Sequence, residues 1–202
     1  MIARAKLQAG LEEIGLPLNA ERQDMLLSYL ALLEKWNRVY NLTRVPSTLA
    51  LQRHVLDSLV VLPWLAGRHW LDVGSGAGLP GIVLAIAKPE CALTSVEKVG
   101  KKAAFQRQVV AELGLLNVRV EATRVEAMRG QYDGILSRAF ASLTDFVNLT
   151  THLLAPGGRW YALKGSQPDE TLAEGIRFCE ARALQVPGLT AQRHLIILER
   201  AV

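Results

Sequence analysis

The 202-residue chain is half hydrophobic by composition and carries 23 Lys and Arg against 19 Asp and Glu, a formal charge of +4 with an isoelectric point near 9.3. That length buries one substantial core but is too short for two full domains with linkers, and the mild, arginine-led basic bias suits a nucleic-acid partner without requiring one. Cys91 and Cys179 have no ligand-like spacing and no apolar run approaches the roughly 18 residues of a membrane span, which leaves out zinc frameworks, disulfide scaffolds and spanning helices and points to a cytoplasmic protein.

The N-terminus, MIARAKLQAGLEEIG, has charges at helical spacing and lacks the apolar centre of a signal peptide. Between Asn19 and Tyr40, the residues Met25, Leu26, Tyr29, Leu30, Leu32, Leu33 and Trp36 fall on one face of a helix, with Asn19 as its cap. A second helix is expected from about Ser47 to Leu62, after Pro46, with Pro63 ending or kinking it. Residues 1–66 thus form an α-helical N-terminal extension packed on the core, and residues 67–202 form the main domain.

From Trp70 the pattern changes to short β-rich runs, HWLDV, ALTSVE, VRVEA, YDGILSRA, GRWYALK, LQVPG and RHLIILER, with helices between most of them. Strands alternating with helices predict an α/β, Rossmann-like fold: a mostly parallel sheet with helices on both faces. Pro156, Gly157 and Gly158 are expected to end one helix and start the next strand sharply. The last two runs, split only by LTAQ, read as a hairpin that makes one strand antiparallel.

The chemistry centres on WLDVGSGAGLPG, Trp70 to Gly81. Gly76, Gly78 and Gly81 match the dinucleotide pattern G-x-G-x-x-G, and Glu97 follows about 20 residues on, where an acid meets ribose hydroxyls. Asp72 weighs against a dinucleotide, because a carboxylate just before the first turn repels a pyrophosphate held at the helix N-terminus. S-adenosylmethionine has no phosphate and offers a cationic amino group and a sulfonium, which a nearby carboxylate stabilises. The run from Asp72 to Gly78 therefore fits S-adenosylmethionine, with Asp72, Gly74, Gly76 and Gly78 at the cofactor and Glu97 on its ribose. The plainer alternatives are a turn whose glycines serve packing alone, and a Glu97 paired on the surface with Lys98, Lys101 or Lys102. Glu126, in TRVEAM after the third strand, is placed to meet the adenine edge.

Seven collinear motifs, KWNRVYNLT (35–43), RHVLDS (53–58), LDVGSGAGLPG, TRVEAM, SRAFAS (137–142), YALKG and RHLIILE, together resemble the bacterial RsmG family, formerly called glucose-inhibited division protein B. The resemblance implies a methyltransferase that forms 7-methylguanosine in the 16S rRNA of the small ribosomal subunit. It also implies that residues matching Gly74, Leu79, Val125, Glu126 and Arg138 bind S-adenosylmethionine. Many relatives have Asp where Glu97 stands, a mild departure that lengthens the ribose contact. A monomer acting on 16S rRNA or the small subunit is expected, with no metal.

The seven-position nitrogen of guanine carries an in-plane lone pair and no proton, so its attack on a sulfonium methyl needs alignment and exclusion of water, and no general base. Methylation at a pyrimidine carbon needs a cysteine nucleophile, yet Cys91 opens a strand and Cys179 is expected in a late helix, both remote from the loop ends where open α/β sheets work. Methylation of an adenine amine goes with an Asn/Asp-Pro-Pro-aromatic segment, and SRAF occupies that place. Ribose 2′-O-methylation is the nearest rival: Lys164 is placed to activate a hydroxyl, but Arg138 stands where the partnering acid belongs. A non-catalytic RNA- or ribosome-binding protein on this fold and a small-molecule methyltransferase are the other classes.

Arg138 and Lys164 are read as the catalytic positions, acting by placing the substrate, and Arg124, Lys164 and Arg193 as RNA-binding. The four form an expected basic cluster at the strand ends. His54 and Asp57, three apart on a helix, are expected to make a hydrogen-bonded pair over the cofactor loop. Asn41 and Thr43 are expected to cap or turn the chain.

Overall fold

Among the described residues seven strands build one sheet: β1 (His69–Val73), β2 (Ala92–Val96), β3 (Val118–Glu121), β4 (Tyr132–Ser137), β5 (Leu154–Lys164), β6 (Ile176–Leu184) and β7 (Arg193–Arg200). The computed structural model describes residues 2–138, 140, 142–165, 172 and 174–201. The strand order is β3-β2-β1-β4-β5-β7-β6, and all pairs from β3 to β5 are parallel. β7 runs antiparallel to both β5 and β6, so it is the one reversed strand, as the terminal hairpin predicts. The order turns back between β1 and β4, which opens a crevice at the carboxyl ends of those strands, the ordinary ligand position in such sheets.

The central strands are buried on both faces and divide their side chains between two cores. Leu71 and Val73 of β1 join Ile135, Phe146, Trp160 and Leu198 on the face covered by α6 (Leu143–Thr150). Trp70 joins the other core with Ile82 and Leu84 of α4 (Gly81–Ala87) and Phe105 of α5 (Gly100–Leu113). Leu7 and Leu11 of α1 (Ile2–Glu13) and Leu26, Tyr29 and Leu33 of α2 (Ala20–Tyr40) belong to this same core. The hydrophobic interior therefore crosses residue 66 without a break.

The periodicity of α2 places Leu26, Tyr29 and Leu33 inward as expected, and Asn19 caps the helix by accepting the Arg22 N–H at 2.9 Å. Asn41 ends it in the left-handed conformation, φ 51°. The single helix expected over Ser47–Leu62 is instead a series of short turns: a 3-10 turn at Ser47–Leu49, a π-helical turn at Leu51–Leu56, α3 (Asp57–Leu59) and a 3-10 turn at Leu62–Trp64 that contains Pro63. Residues 54–62 are buried without interruption, so no exposed face imposes a 3.6-residue repeat on this stretch.

Two further readings are corrected in the C-terminal half. LQVPG is no strand of its own, because β6 lies upstream and ends at Leu184; Cys179 thus sits on a strand and not in a helix. The charges Arg177, Glu180 and Arg182 imitate a solvated helix face, but β6 is the edge of the sheet, where such charges are common and guard the unpaired side. Pro156, Gly157 and Gly158 lie inside β5 and bulge it: the register against β4 jumps from Tyr132 with Leu154 to Gly134 with Arg159. Part of the late helix expected between GRWYALK and LQVPG, and residues 139 and 141 of SRAFAS, lie outside the described residues.

Candidate cofactor and substrate cleft

The chain leaves β1 at Val73 and turns through Gly74, Gly76 and Gly78, whose φ angles of 67°, 58° and 83° only glycine adopts at little cost. Ser75 closes the turn, its carbonyl accepting the N–H groups of Gly78 and Leu79 at 2.8 Å each. Gln106 of α5 holds the loop from below, donating to the Ser75 hydroxyl and to the Gly76 carbonyl, both at 2.8 Å. Its own amide oxygen accepts from Ser95 on β2. Sequence reasoning missed Gln106; its only signal is a polar residue standing beside Phe105 on the inward face of α5, and it is fully buried.

Asp72 lies beneath this loop and is completely buried. Its Oδ2 accepts the Gly81 N–H at 2.8 Å, while Oδ1 is buried with no hydrogen-bond partner. Burial raises its pKa to about 7, against the lowering effects of the Gly81 N–H and the Arg138 charge. Asp72 is thus sealed under the loop, near the cleft but not open to it, and holds the start of α4 through Gly81. Gly81 is required above it, since a Cβ there would stand 2.7 Å from Asp72 Oδ2. Gly78 likewise faces the interior, where its Cβ would meet Ile82.

Glu97, at the end of β2, has the position expected of it. Its Oε2 accepts the Gly76 N–H and its Oε1 the Val99 N–H, both at 2.8 Å. Among the described residues it takes neither Lys98, Lys101 nor Lys102 as an ion-pair partner, and Lys101 donates instead to the Tyr40 carbonyl. Each carboxylate oxygen keeps a second lone pair for an incoming hydroxyl. Glu97 borders a cleft of about 390 Å3 whose apolar walls include Val96, Val99, Val125 and Phe140, with Arg124 and Glu126 on its lining. Gly74 separates this cleft from a smaller cavity of about 210 Å3 lined by Thr43, His54, Gly76, Leu79 and Arg138. A Cβ on Gly76 would meet nothing within 4 Å, so this part of the loop fronts open space. An apolar slot beside a hydroxyl-accepting carboxylate, joined through a glycine to a small cavity bearing an arginine, fits the nucleoside and amino-acid ends of S-adenosylmethionine.

The basic residues are less of a single cluster than expected. Arg138 and Arg193 meet at Asp57, whose Oδ2 is 3.3 Å from Arg138 Nη1 and whose Oδ1 is 2.7 Å from Arg193 Nε. Lys164 donates to the Phe140 carbonyl at 2.8 Å and stands in register with His194, next to Arg193. Arg124 is apart from these, an exposed side chain 3.8 Å from the Glu126 carboxylate. The expected His54–Asp57 pair does not form, because both Asp57 oxygens are taken by arginine and His54 Nε2 turns to the Thr43 hydroxyl at 3.2 Å. Burial, and then the Arg138 charge, lower the His54 pKa to about 4, so the imidazole is neutral near neutral pH. Thr43 also accepts the Val45 N–H at 3.1 Å, the turn role expected of it.

A crevice at the switch point of a mostly parallel sheet, a three-glycine loop over a buried acid and a carboxylate ending the second strand define a methyltransferase-type domain. Solved structures agree on the fold: TrmN from Thermus thermophilus superposes with a TM-score of 0.57 at 21% identity, over 71% of this chain and 47% of that one. A putative methyltransferase, yhhF from Escherichia coli, gives 0.56 at 16% identity, over 72% of this chain and 87% of that one. The sequence narrows the class further. The GidB family model, described as rRNA small subunit methyltransferase G, matches residues 22–196, and the chain belongs to this family. Relatives named Ribosomal RNA small subunit methyltransferase G include one from Aromatoleum aromaticum, 51% identical over 210 residues and covering 98% of this chain and 100% of its own. Another, from Laribacter hongkongensis, is 51% identical over 204 residues, covering 98% and 99%. Among the described residues no group of His, Cys, Asp and Glu is arranged to hold a metal ion, and no helix is long and apolar enough to cross a membrane.

Proposed function

We propose that this rRNA methyltransferase transfers the methyl group of S-adenosylmethionine to the seven-position nitrogen of a guanine in 16S rRNA, acting as a monomer in the cytoplasm. The observation that carries the reading is the division of the crevice by Gly74, with Glu97 on the larger side and Arg138 on the smaller. Glu97 accepts the ribose hydroxyls, Val99, Val125 and Phe140 flank the adenine, Glu126 meets its edge, and Arg138 faces the donor's carboxylate. Bound S-adenosylmethionine supplies an electrophilic methyl on a sulfonium. The chain's own task is to hold the guanine in line with it and keep water out.

His54, Lys164 and Arg138 suit a reaction with no proton to remove. His54 is neutral, but a group with a pKa near 4 is a weak base, and its Nε2 is engaged by Thr43. Lys164 is held as a donor to the Phe140 carbonyl, and Arg138, not an acid, directly follows β4. These features favour guanine over the ribose hydroxyl. Lys164 and Arg193 are assigned to the RNA near the reacting base, and Arg124 to its backbone at the outer rim. Incubation with labelled S-adenosylmethionine and unmethylated small subunits or rRNA, followed by chemical cleavage at 7-methylguanosine, tests the assignment; label found on a ribose or another base overturns it.

A further inference from the structure

Asp57 gives one carboxylate oxygen to each of two arginines that lie 81 and 136 residues away in the chain. The carboxylate is 5% exposed, against 29% for the side chain of Arg138 and 24% for that of Arg193, so the acid is the inner member of the group. Arg138 Nη1 also donates to the Arg53 carbonyl at 3.2 Å, so the turn around residues 53–57 holds that nitrogen at two points. Two guanidinium charges against one carboxylate leave a net positive charge at the carboxyl edge of the sheet, where Arg138 borders the cavity shared with Gly74 and Gly76. Partial burial reduces the screening of this arrangement by solvent and salt.

We propose that Asp57 is a positioning residue for the methyl-donor site: it fixes Arg138 against the glycine loop and, through Arg193, ties that setting to β7. The inference rests on the proposed function in one respect, that Arg138 faces the donor's carboxylate. A guanidinium has five donors in a rigid fork, so its useful direction depends on which of them is pinned, and here Nη1 is pinned by Asp57 and Arg53. Asparagine at position 57 would keep the shape but offer one acceptor oxygen and no charge. It would satisfy one arginine and leave two uncompensated guanidinium charges side by side, which drives Arg138 from its place.

The experiment measures S-adenosylmethionine affinity by calorimetry, with melting temperature in parallel, for wild type, Asp57→Asn, Arg138→Gln, Arg193→Gln and the Asp57→Asn/Arg138→Gln double variant. Asp57→Asn is expected to weaken binding by about tenfold or more, and the double variant by no more than Arg138→Gln alone, because the acid acts only through that arginine. Arg193→Gln is expected to have a smaller effect, since Arg138 keeps its partner. Should Asp57→Asn not fold, Asp57→Glu, which keeps the charge and displaces it, takes its place with the same expectation. An affinity within about twofold of wild type, whatever the melting temperature, overturns the proposal, and so does an additive loss in the double variant. Wild-type protein that binds no S-adenosylmethionine overturns the proposed function and this inference with it, whereas wild type that binds beside an unaffected position-57 variant overturns the inference alone.

Discussion

The hydroxyl of Tyr29, midway along α2, donates to the carbonyl oxygen of Ala77 in the glycine loop at 2.9 Å. Tyr29 is fully buried, and burial pushes its phenol far above the ordinary tyrosine value, so it stays a donor wherever the protein is folded. The N-terminal helices thus support the cofactor loop directly. Tyr29→Phe leaves the Ala77 carbonyl without this partner and is expected to cost about 1–2 kcal/mol, read as a lower denaturant midpoint. Donor affinity should fall in the same variant, and a variant whose midpoint and affinity both match wild type would show that the loop does not depend on this bond.

Two loop glycines are expected to fail differently. Gly76→Ala meets nothing within 4 Å, so its stability loss is that of a left-handed alanine, about 1–2 kcal/mol, while the new methyl enters the space assigned to the donor. Its calorimetric affinity should drop further than its stability accounts for. Gly81→Ala drives a Cβ onto the Asp72 carboxylate and the Leu93 side chain, both of them buried. That overpacking should cost about 1–3 kcal/mol in a denaturant titration, with or without donor present.

Asp72 makes stability depend on pH in a direction that can be worked out. Its pKa is near 3.8 unfolded and about 7 folded, so the folded state holds the proton more tightly. Its contribution is therefore full below the unfolded value and is lost as the pH rises through about 7. The lowered pKa of His54 acts oppositely, favouring the folded state above its unfolded value near 6.5 and losing that as the pH falls to about 4. Comparing Asp72→Asn with wild type cancels the histidine. The variant's melting temperature relative to wild type should be higher at pH 8 than at pH 5, and a difference that does not change with pH would show that Asp72 is not the titrating group.

Lys164→Gln tests the substrate side. Lys164 itself lines neither cavity assigned to the donor and reaches the backbone carbonyl of Phe140, whose ring is the part placed against the adenine. Turnover on rRNA is expected to fall by about tenfold to a hundredfold, the scale of a misplaced reactant, with S-adenosylmethionine affinity unchanged. Loss of donor affinity would move Lys164 to the cofactor side.

Much of the candidate site's backbone was legible because it is local. The glycines must stand where the chain turns left-handed, and Glu97 must end the strand beside β1; both follow from spacing within some twenty residues. The burial of Asp72 was less legible, since position along the chain puts it at the loop but cannot tell that the loop folds over it. Gln106 and Tyr29 were invisible for a related reason: each is an ordinary member of a helix until another element brings a backbone carbonyl to it. The group around Asp57 was out of reach altogether, as its partners come from the ends of β4 and β7. Instead, the three-residue interval to His54 suggested a helical pair that the π turn and the two arginines prevent. β6 was misread because an edge strand with charges on both sides lacks the alternation that identifies a strand with one dry face.

The bond between Asp57 and Arg193 joins parts of the chain that are synthesised at different times. A chain is made from its N-terminus, and the loop residues 74–81 emerge long before residue 193 does. Until β7 is synthesised and inserted between β5 and β6, Asp57 lacks one of its two arginines and the sheet lacks the strand that carries it. A chain that stops short of β7 contains every glycine of the loop and still lacks the Asp57–Arg193 bond and the strand between β5 and β6. The setting of Asp57 thus waits on a strand made after every residue of the glycine loop.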